Sequence, residues 1–88
     1  MSEFATWLDT FVSEKGLDPD EMFVIETSKN THMFDLAYLV EVCKIVPDSE
    51  QRTIKAIIVE IDFCNGNVLD YFNHLATILA KRQDGDLE

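Results

Sequence analysis

The 88-residue chain has room for one small domain and carries a large negative charge. It holds 17 Asp and Glu against 7 Lys and Arg, and the net charge of −10 disfavours phosphate backbones and anionic membrane surfaces as partners. The hydrophobic share of 47% is ordinary for a globular protein. No apolar stretch approaches the roughly 18 residues needed to cross a bilayer. We therefore expect a single domain over residues 1–83 that has neither membrane nor direct nucleic-acid partners.

The first predicted helix spans residues 3–15. Ser2 can cap its start, and Gly16 can end it in the left-handed conformation. The apolar residues that recur on one face are Phe4, Trp7, Leu8 and Phe11. The next segment, Asp18 to Glu21, combines a capping Asp, a Pro and a Glu three residues after the cap, which is the pattern of a helix start. We expect a short turn after Asp18.

Residues 23–34 are compatible with two local structures. Strand-forming residues at 23–27 and 32–34 flank a polar segment at 28–31 that is rich in turn formers. This pattern predicts a short β-hairpin, and a frayed helix followed by a loop is the alternative that the sequence leaves open. An isolated hairpin is only marginally stable in water, so this one would have to pack against the helices.

Three further helices are predicted at 35–46, 49–64 and 67–82. Pro47 ends the first of them, Asp48 with Gln51 forms a capping pair for the second, and Asn67 with Asp70 caps the third. Gly66 is expected to supply the left-handed backbone between the last two helices. The predicted core consists of Phe4, Trp7, Leu8, Phe11, Leu36, Leu39, Val40, Ile54, Ile57, Ile58, Ile61, Val68, Phe72, Leu75 and Leu79. The fold class is therefore mainly α, a small bundle of about four helices with room for one hairpin between the first two. Residues 84–88 are predicted to be a disordered tail, with Leu87 and Glu88 as a cloning remnant.

The polar residues form no pattern that indicates catalysis or cofactor binding. Cys43 and Cys64 are predicted to be reduced, buried thiols rather than a disulfide, because the N-terminus lacks the basic and then apolar build of a signal peptide. A metal site would need these two cysteines to converge with His32 and His74, and none of the four has the close pairing that presets ligand geometry. Neither a glycine-rich phosphate loop nor an activated nucleophile is recognisable. We predict a cytoplasmic protein that is not an enzyme and uses no cofactor.

The last two helices also fit the outline of a helix–turn–helix motif. The second helix of that motif presents hydrogen-bond donors to base edges from its N-terminal half. Here that half, residues 68–72, contains Asp70 and no Lys or Arg, and the cations Lys81 and Arg82 come at the far end. A helical hairpin inside the bundle is the preferred interpretation.

Two blocks of the sequence, FATWLDTFVSEKGLD at 4–18 and IDFCNGNV at 61–68 with FNHLA at 72–76, form a recognisable pattern together with Val40-Glu41 and Gln51. The pattern resembles a family of small uncharacterised acidic proteins encoded by bacterial phages, plasmids and other mobile elements. The resemblance covers residues 4–80 in order. It implies a bacterial, cytosolic accessory protein and transfers no functional residue.

The leading functional hypothesis is a non-enzymatic acidic protein-interaction module whose unidentified partner is a basic protein. The densest acidic patch in the sequence, and hence the predicted partner-binding set, is Glu14, Asp18, Asp20, Glu21 and Glu26. The alternative function is a structural homodimer without a role for the acidic surface. Its candidate contact residues are Trp7, Phe11, Tyr38, Tyr71 and Phe72. Solvation and matching of helix dipoles would also account for much of the charge.

Overall fold

A computed structural model describes residues 2–85 and contains four helices and one antiparallel hairpin among them. In chain order the elements are α1 (Glu3–Glu14), β1 (Met22–Glu26), β2 (Thr31–Asp35), α2 (Leu36–Lys44), α3 (Asp48–Phe63) and α4 (Val68–Asp84). The mainly α architecture is confirmed. Helix α4 includes Asp84, which had been expected in the tail, and the remainder of that predicted tail at 86–88 lies outside the described residues.

The hairpin is the structure adopted between the first two long helices. Its register runs from Met22 opposite Asp35 to Glu26 opposite Thr31. Side chains alternate across it, so that one face is buried against the bundle and the other is exposed, and β1 packs on α4. The alternative of a frayed helix is therefore wrong.

Both ends of α1 follow the predicted local chemistry. The Ser2 hydroxyl accepts a hydrogen bond from the Ala5 backbone N–H at 3.1 Å. Gly16 adopts φ +66°, and the Leu17 N–H donates to the Val12 carbonyl at 3.1 Å. This is the Schellman arrangement that closes many helices at a left-handed residue.

The segment after α1 forms the short turn that was predicted after Asp18, and it does not begin the helix that its capping pattern would also allow. The Asp18 carboxylate accepts from the Asp20 N–H at 2.9 Å, and the Glu21 N–H donates to the Asp18 carbonyl at 3.0 Å. Strand β1 follows directly. An Asp side chain stabilises a turn by the same type of hydrogen bond that caps a helix, so the pattern does not distinguish the two.

The connection from α2 to α3 also differs from the prediction. Pro47 occupies the N-cap of α3, with no side-chain hydrogen bond to the helix, and Asp48 is already helical. The Gln51 side chain is buried, and its Nε2 donates to the carbonyls of Lys44 and Val46, at 3.0 Å each. Gln51 therefore satisfies carbonyls at the end of α2 instead of capping α3.

The turn from α3 to α4 uses Asn65, not Gly66, as its left-handed residue. Asn65 has φ +59°, and the Gly66 N–H donates to the Ile61 carbonyl at 2.7 Å. A Cβ atom on Gly66 would lie 3.0 Å from Ile61 Cγ2 and 3.2 Å from the Ile61 carbonyl oxygen. The glycine is thus required for close approach. Asn67 caps α4 as predicted, because its side chain accepts from the Leu69 N–H at 3.0 Å.

One hydrophobic core joins the helices to the inner face of the hairpin. Among the predicted core residues, Trp7, Ile57, Ile61, Leu75 and Leu79 are only half-buried. Six apolar residues in the described part of the chain are buried although the prediction omitted them: Phe23, Ile25, Phe34, Cys43, Ala76 and Ala80. The two alanines place small side chains at the centre of α4.

Candidate protein-interaction surfaces

All five residues of the predicted acidic patch are exposed, but they do not form one cluster. Asp18, Asp20 and Glu21 share the hydrogen-bonded turn between α1 and β1. Glu14 is the last residue of α1, and Glu26 is the last residue of β1. At about 3.3 Å per strand residue, Glu26 lies about 17 Å along the chain from Glu21.

The outer side of the hairpin carries exposed apolar side chains. We call this surface the hairpin face, defined by Met22, Val24, Glu26, Thr31, Met33 and Asp35. Its three apolar members, Met22, Val24 and Met33, are between 45% and 64% exposed. Its charged members are both carboxylates. Contiguous apolar surface on a small domain commonly marks an interaction site.

Tyr38 adds an aromatic ring beside the hairpin face. Its ring stacks on that of Phe34, with centroids 5.7 Å apart and planes at 8°. Asp35 fixes the start of α2 at this point, because its carboxylate accepts from the Tyr38 N–H at 2.8 Å. The Asp35 hydrogen bond therefore caps α2 directly at the end of β2.

A second surface lies between α1 and α2. We call it the α1–α2 groove, a cleft of about 470 Å³. It is lined by Asp9, Val12, Ser13, Leu17, Pro19, Leu36, Ala37, Val40 and Glu41. Lys44 lies next to its two carboxylates, with Nζ 2.7 Å from both Asp9 Oδ1 and Glu41 Oε2. The hydrogen bond that Lys44 donates to the Asp9 carboxylate, followed by the one it donates to Glu41, raises the pKa of Lys44.

A polar cluster joins the end of α4 to the hairpin loop, and no sequence pattern predicted it. The Asp84 side chain is only 3% exposed. One of its oxygens accepts from the Thr27 hydroxyl, and the other lies 3.1 Å from Asn30 Nδ2 and 2.9 Å from His32 Nε2. The Lys29 ammonium donates to the Asp84 carbonyl at 2.7 Å.

The Asp84 cluster contains a hydroxyl, an imidazole and a carboxylate, but not in a catalytic arrangement. In a triad the imidazole takes the proton of the hydroxyl. Here Thr27 and His32 both bond to Asp84, and the Thr27 hydroxyl oxygen also accepts the backbone N–H groups of Lys29 and Asn30, at 3.3 and 3.1 Å. The cluster therefore fixes the loop of the hairpin onto α4.

This cluster predicts an acid-dependent loss of stability. The Thr27 hydroxyl, followed by the Asn30 amide and the His32 imidazole, lowers the pKa of Asp84 from its ordinary value of 3.8 to about 2, against the opposing effect of burial. Because the pKa is lower in the folded state, the stabilisation is fully present above about pH 4 and is lost as the pH falls toward 2.

We expect the difference in unfolding free energy between wild type and Asp84→Asn to narrow over that interval, as measured by denaturant titration at a series of pH values. Asp20→Asn, at an exposed carboxylate, is the control. If the difference in unfolding free energy between wild type and Asp84→Asn stays constant across this pH range, the predicted effect of the Asp84 pKa on stability is contradicted.

The two thiols are free and neither is activated. Cys43 is buried, and that burial raises its pKa to about 11. Cys64 is exposed, so the prediction that both cysteines are buried is wrong for this one. The Glu60 carboxylate, which lies 3.6 Å from Cys64 Sγ, raises the pKa of that thiol. A nucleophilic cysteine needs the opposite shift.

Residues 2–85 contain neither a metal-binding cluster nor a membrane-spanning helix. No group of three or more His, Cys, Asp and Glu side chains is arranged to hold a metal ion in that part of the chain. Nor does any helix within it combine the length and the apolar character that crossing a bilayer requires.

The aromatic residues predicted to form a dimer contact are mostly covered. Phe11 and Phe72 are buried, Trp7 and Tyr71 are half-buried, and Tyr38 is exposed. The most exposed aromatic side chain in the described residues is Phe63, at 84%, with Val59 exposed one turn before it on α3. Phe63 was absent from the predicted contact residues because it lies off the apolar face of α3, which ends at Ile61.

Comparison of the chain with protein-family models, curated proteins and solved structures finds no match in any of the three. The resemblance to mobile-element proteins therefore stays a prediction.

Proposed function

We propose that this protein is a non-enzymatic acidic protein-interaction module that binds a basic protein. The observation that carries the proposal is the hairpin face, where Met22, Val24 and Met33 are exposed and the charged neighbours are carboxylates. Methionine side chains are flexible and adapt to irregular partner surfaces. The apolar residues would supply contact area, and Glu26 and Asp35 would favour a cationic rim on the partner.

Two features of the chain support a partner of opposite charge. The net charge of −10 accelerates encounter with a basic protein and opposes encounter with an acidic one. The hairpin is held at its loop by Asp84 and at its base by Asp35, so little ordering is needed on binding. The mobile-element resemblance implies an accessory protein, and a basic host protein is the partner that we propose for it.

The test is capture of partners by the tagged protein from bacterial lysate, at low and at high salt, with identification by mass spectrometry. We expect basic proteins to bind at low salt and to be released at high salt, because screening weakens contacts between exposed charges. The variant Val24→Thr with Met33→Gln should lose these partners, since both side chains become polar at similar size.

The matched control is Val59→Thr, a valine of similar exposure on α3, at 48% against 54% for Val24. Capture should be unchanged in this control. If the hairpin variant and the control capture the same basic proteins in the same amounts, the hairpin face is not the contact surface. If no basic protein is captured by the wild type, the proposed function fails.

A structural homodimer is the second candidate function. The exposed pair Val59 and Phe63 on α3 is the observation that favours it. The net charge of −10 on each copy opposes self-association, which is why this candidate ranks below the first. Light scattering decides between them: a monomer mass up to high concentration excludes the dimer, and a dimer that Phe63→Ser dissociates would establish it.

A further inference from the structure

We infer that the α1–α2 groove binds an amphipathic helix of the partner that carries Lys or Arg on both sides of its apolar residues. The inference rests on the proposed function, because it assumes a basic partner. It assigns that partner a contact surface other than the hairpin face, so the two can be tested separately.

The shape of the groove suits a short stretch of helix. At one end the Ala37 N–H donates to the Pro19 carbonyl at 3.1 Å, and at the other Lys44 contacts Asp9. Residues 36–44 of α2 rise about 12 Å, which is about two turns of a helix laid alongside. The floor is apolar, since Leu36 and Val40 are buried there. Two packed helices commonly accept a third in the groove between them, with its apolar face inward.

The charges around the groove define which helix would fit. Asp9 and Glu41 line it with exposed side chains, while Lys44 is largely covered and already paired with both of them. At the opposite end, Asp18 and Asp20 are exposed on either side of Pro19. Carboxylates thus line one end of the groove, and at the other end Asp18 and Asp20 are the sequence neighbours of the lining residue Pro19.

The length of the groove, about 12 Å along α2, predicts a pattern on the partner. Cationic residues at positions i and i+7 of a helix are separated by about 10.5 Å along its axis, close to the length of the groove. Apolar residues at i+3 and i+4 lie on the same side of the helix, between the two cations. A second copy of this chain is a poor occupant, because its own net charge is −10.

The experiment uses a fluorescein-labelled helical peptide with Lys at i and i+7 and Leu at i+3 and i+4, read by fluorescence anisotropy. The comparison peptide has Glu at the two Lys positions. We expect the Lys peptide to bind the wild type at low salt and the Glu peptide not to bind. Ala37→Arg should weaken binding by about 10-fold or more, because it places a cation and a long side chain in the groove.

The matched control is Ala56→Arg, which makes the same change at an exposed alanine of α3 outside the groove. Its affinity should stay within about 2-fold of the wild type. A second variant, Asp9→Asn with Glu41→Gln, keeps the shape of the groove and should reduce both the affinity and its salt dependence. Circular dichroism and thermal melting of each variant verify that the fold is retained.

Three results would overturn the inference. Equal effects of Ala37→Arg and Ala56→Arg would exclude the groove as the site. Binding that survives Ala37→Arg but is lost in the Val24→Thr, Met33→Gln variant would place the helix on the hairpin face, so that the proposed function stands and the groove assignment fails. If the wild type does not bind the Lys peptide, the inference also fails, and the lysate capture reports on the proposed function independently.

Discussion

Replacement of Phe72 by Ala is expected to lower the free energy of unfolding by about 3–5 kcal/mol, the usual cost of removing a buried aromatic ring. Phe72 is fully buried on α4, and α4 contacts β1, α2 and α3. The cavity would therefore open where the hairpin and three helices meet. Small domains have unfolding free energies of about 5–15 kcal/mol, so Phe72→Ala would remove a large part of the stability of this one. Denaturant titration followed by circular dichroism measures it.

The matched control for this change is Phe63→Ala. It removes the same ring from a position that is 84% exposed, and surface substitutions of this kind usually stay within about 0.5 kcal/mol. Similar losses at both positions would contradict the burial of Phe72. A variant of Phe72 that does not fold at all is consistent with the upper end of the expected range, provided that Phe63→Ala folds normally.

The helices were predictable because their signals are local. Ser2 and Asn67 each bond to a backbone N–H two or three residues ahead, and Gly16 provides the left-handed residue that α1 needs at its end. Apolar periodicity located the long helices within about two residues of their ends. The strand pattern likewise placed the hairpin.

The errors arose where one side chain can serve several backbone partners. Gln51 resembles part of a capping box but bonds back to α2, whereas Asp18, which also resembles a helix cap, stabilises the turn that was predicted. Gly66 was expected to turn the chain, yet Asn65 does so, since Asn tolerates the left-handed region better than most residues. In each case the local pattern was compatible with more than one hydrogen bond, and the tertiary packing selected among them.

The candidate sites depend on contacts that no local pattern encodes. The bonds from Asp84 to Thr27 and His32 span more than fifty residues of sequence. The α1–α2 groove exists only because two separate helices pack side by side. The predicted acidic patch combined Glu26 with the acidic residues of the turn between α1 and β1. In the structure Glu26 lies at the far end of β1 from that turn. Charge could thus be predicted from the sequence, and its arrangement could not.

In helix α4 the predicted core face differs from the observed one. The apolar spacing predicted Val68, Phe72, Leu75 and Leu79 on its core face, whereas the fully buried residues after Phe72 are Ala76 and Ala80. Helix periodicity alone allows either set, because positions i+3 and i+4 are neighbours on one face. Alanines at the centre of the contact let α4 approach its neighbours closely, and the larger leucines flank that contact.

Ala76→Leu is therefore expected to destabilise the fold by about 1–3 kcal/mol, because a fully buried methyl group leaves no space for three further carbon atoms. The control is Ala56→Leu, at an exposed position of α3, where the two residues differ little in helix propensity. Denaturant titration of both variants gives the comparison. If Ala76→Leu is as stable as its control, α4 does not pack through its alanines, and the face defined by Leu75 and Leu79 would be the correct one. A loss confined to Ala76→Leu would establish that small side chains set the spacing at the centre of this bundle.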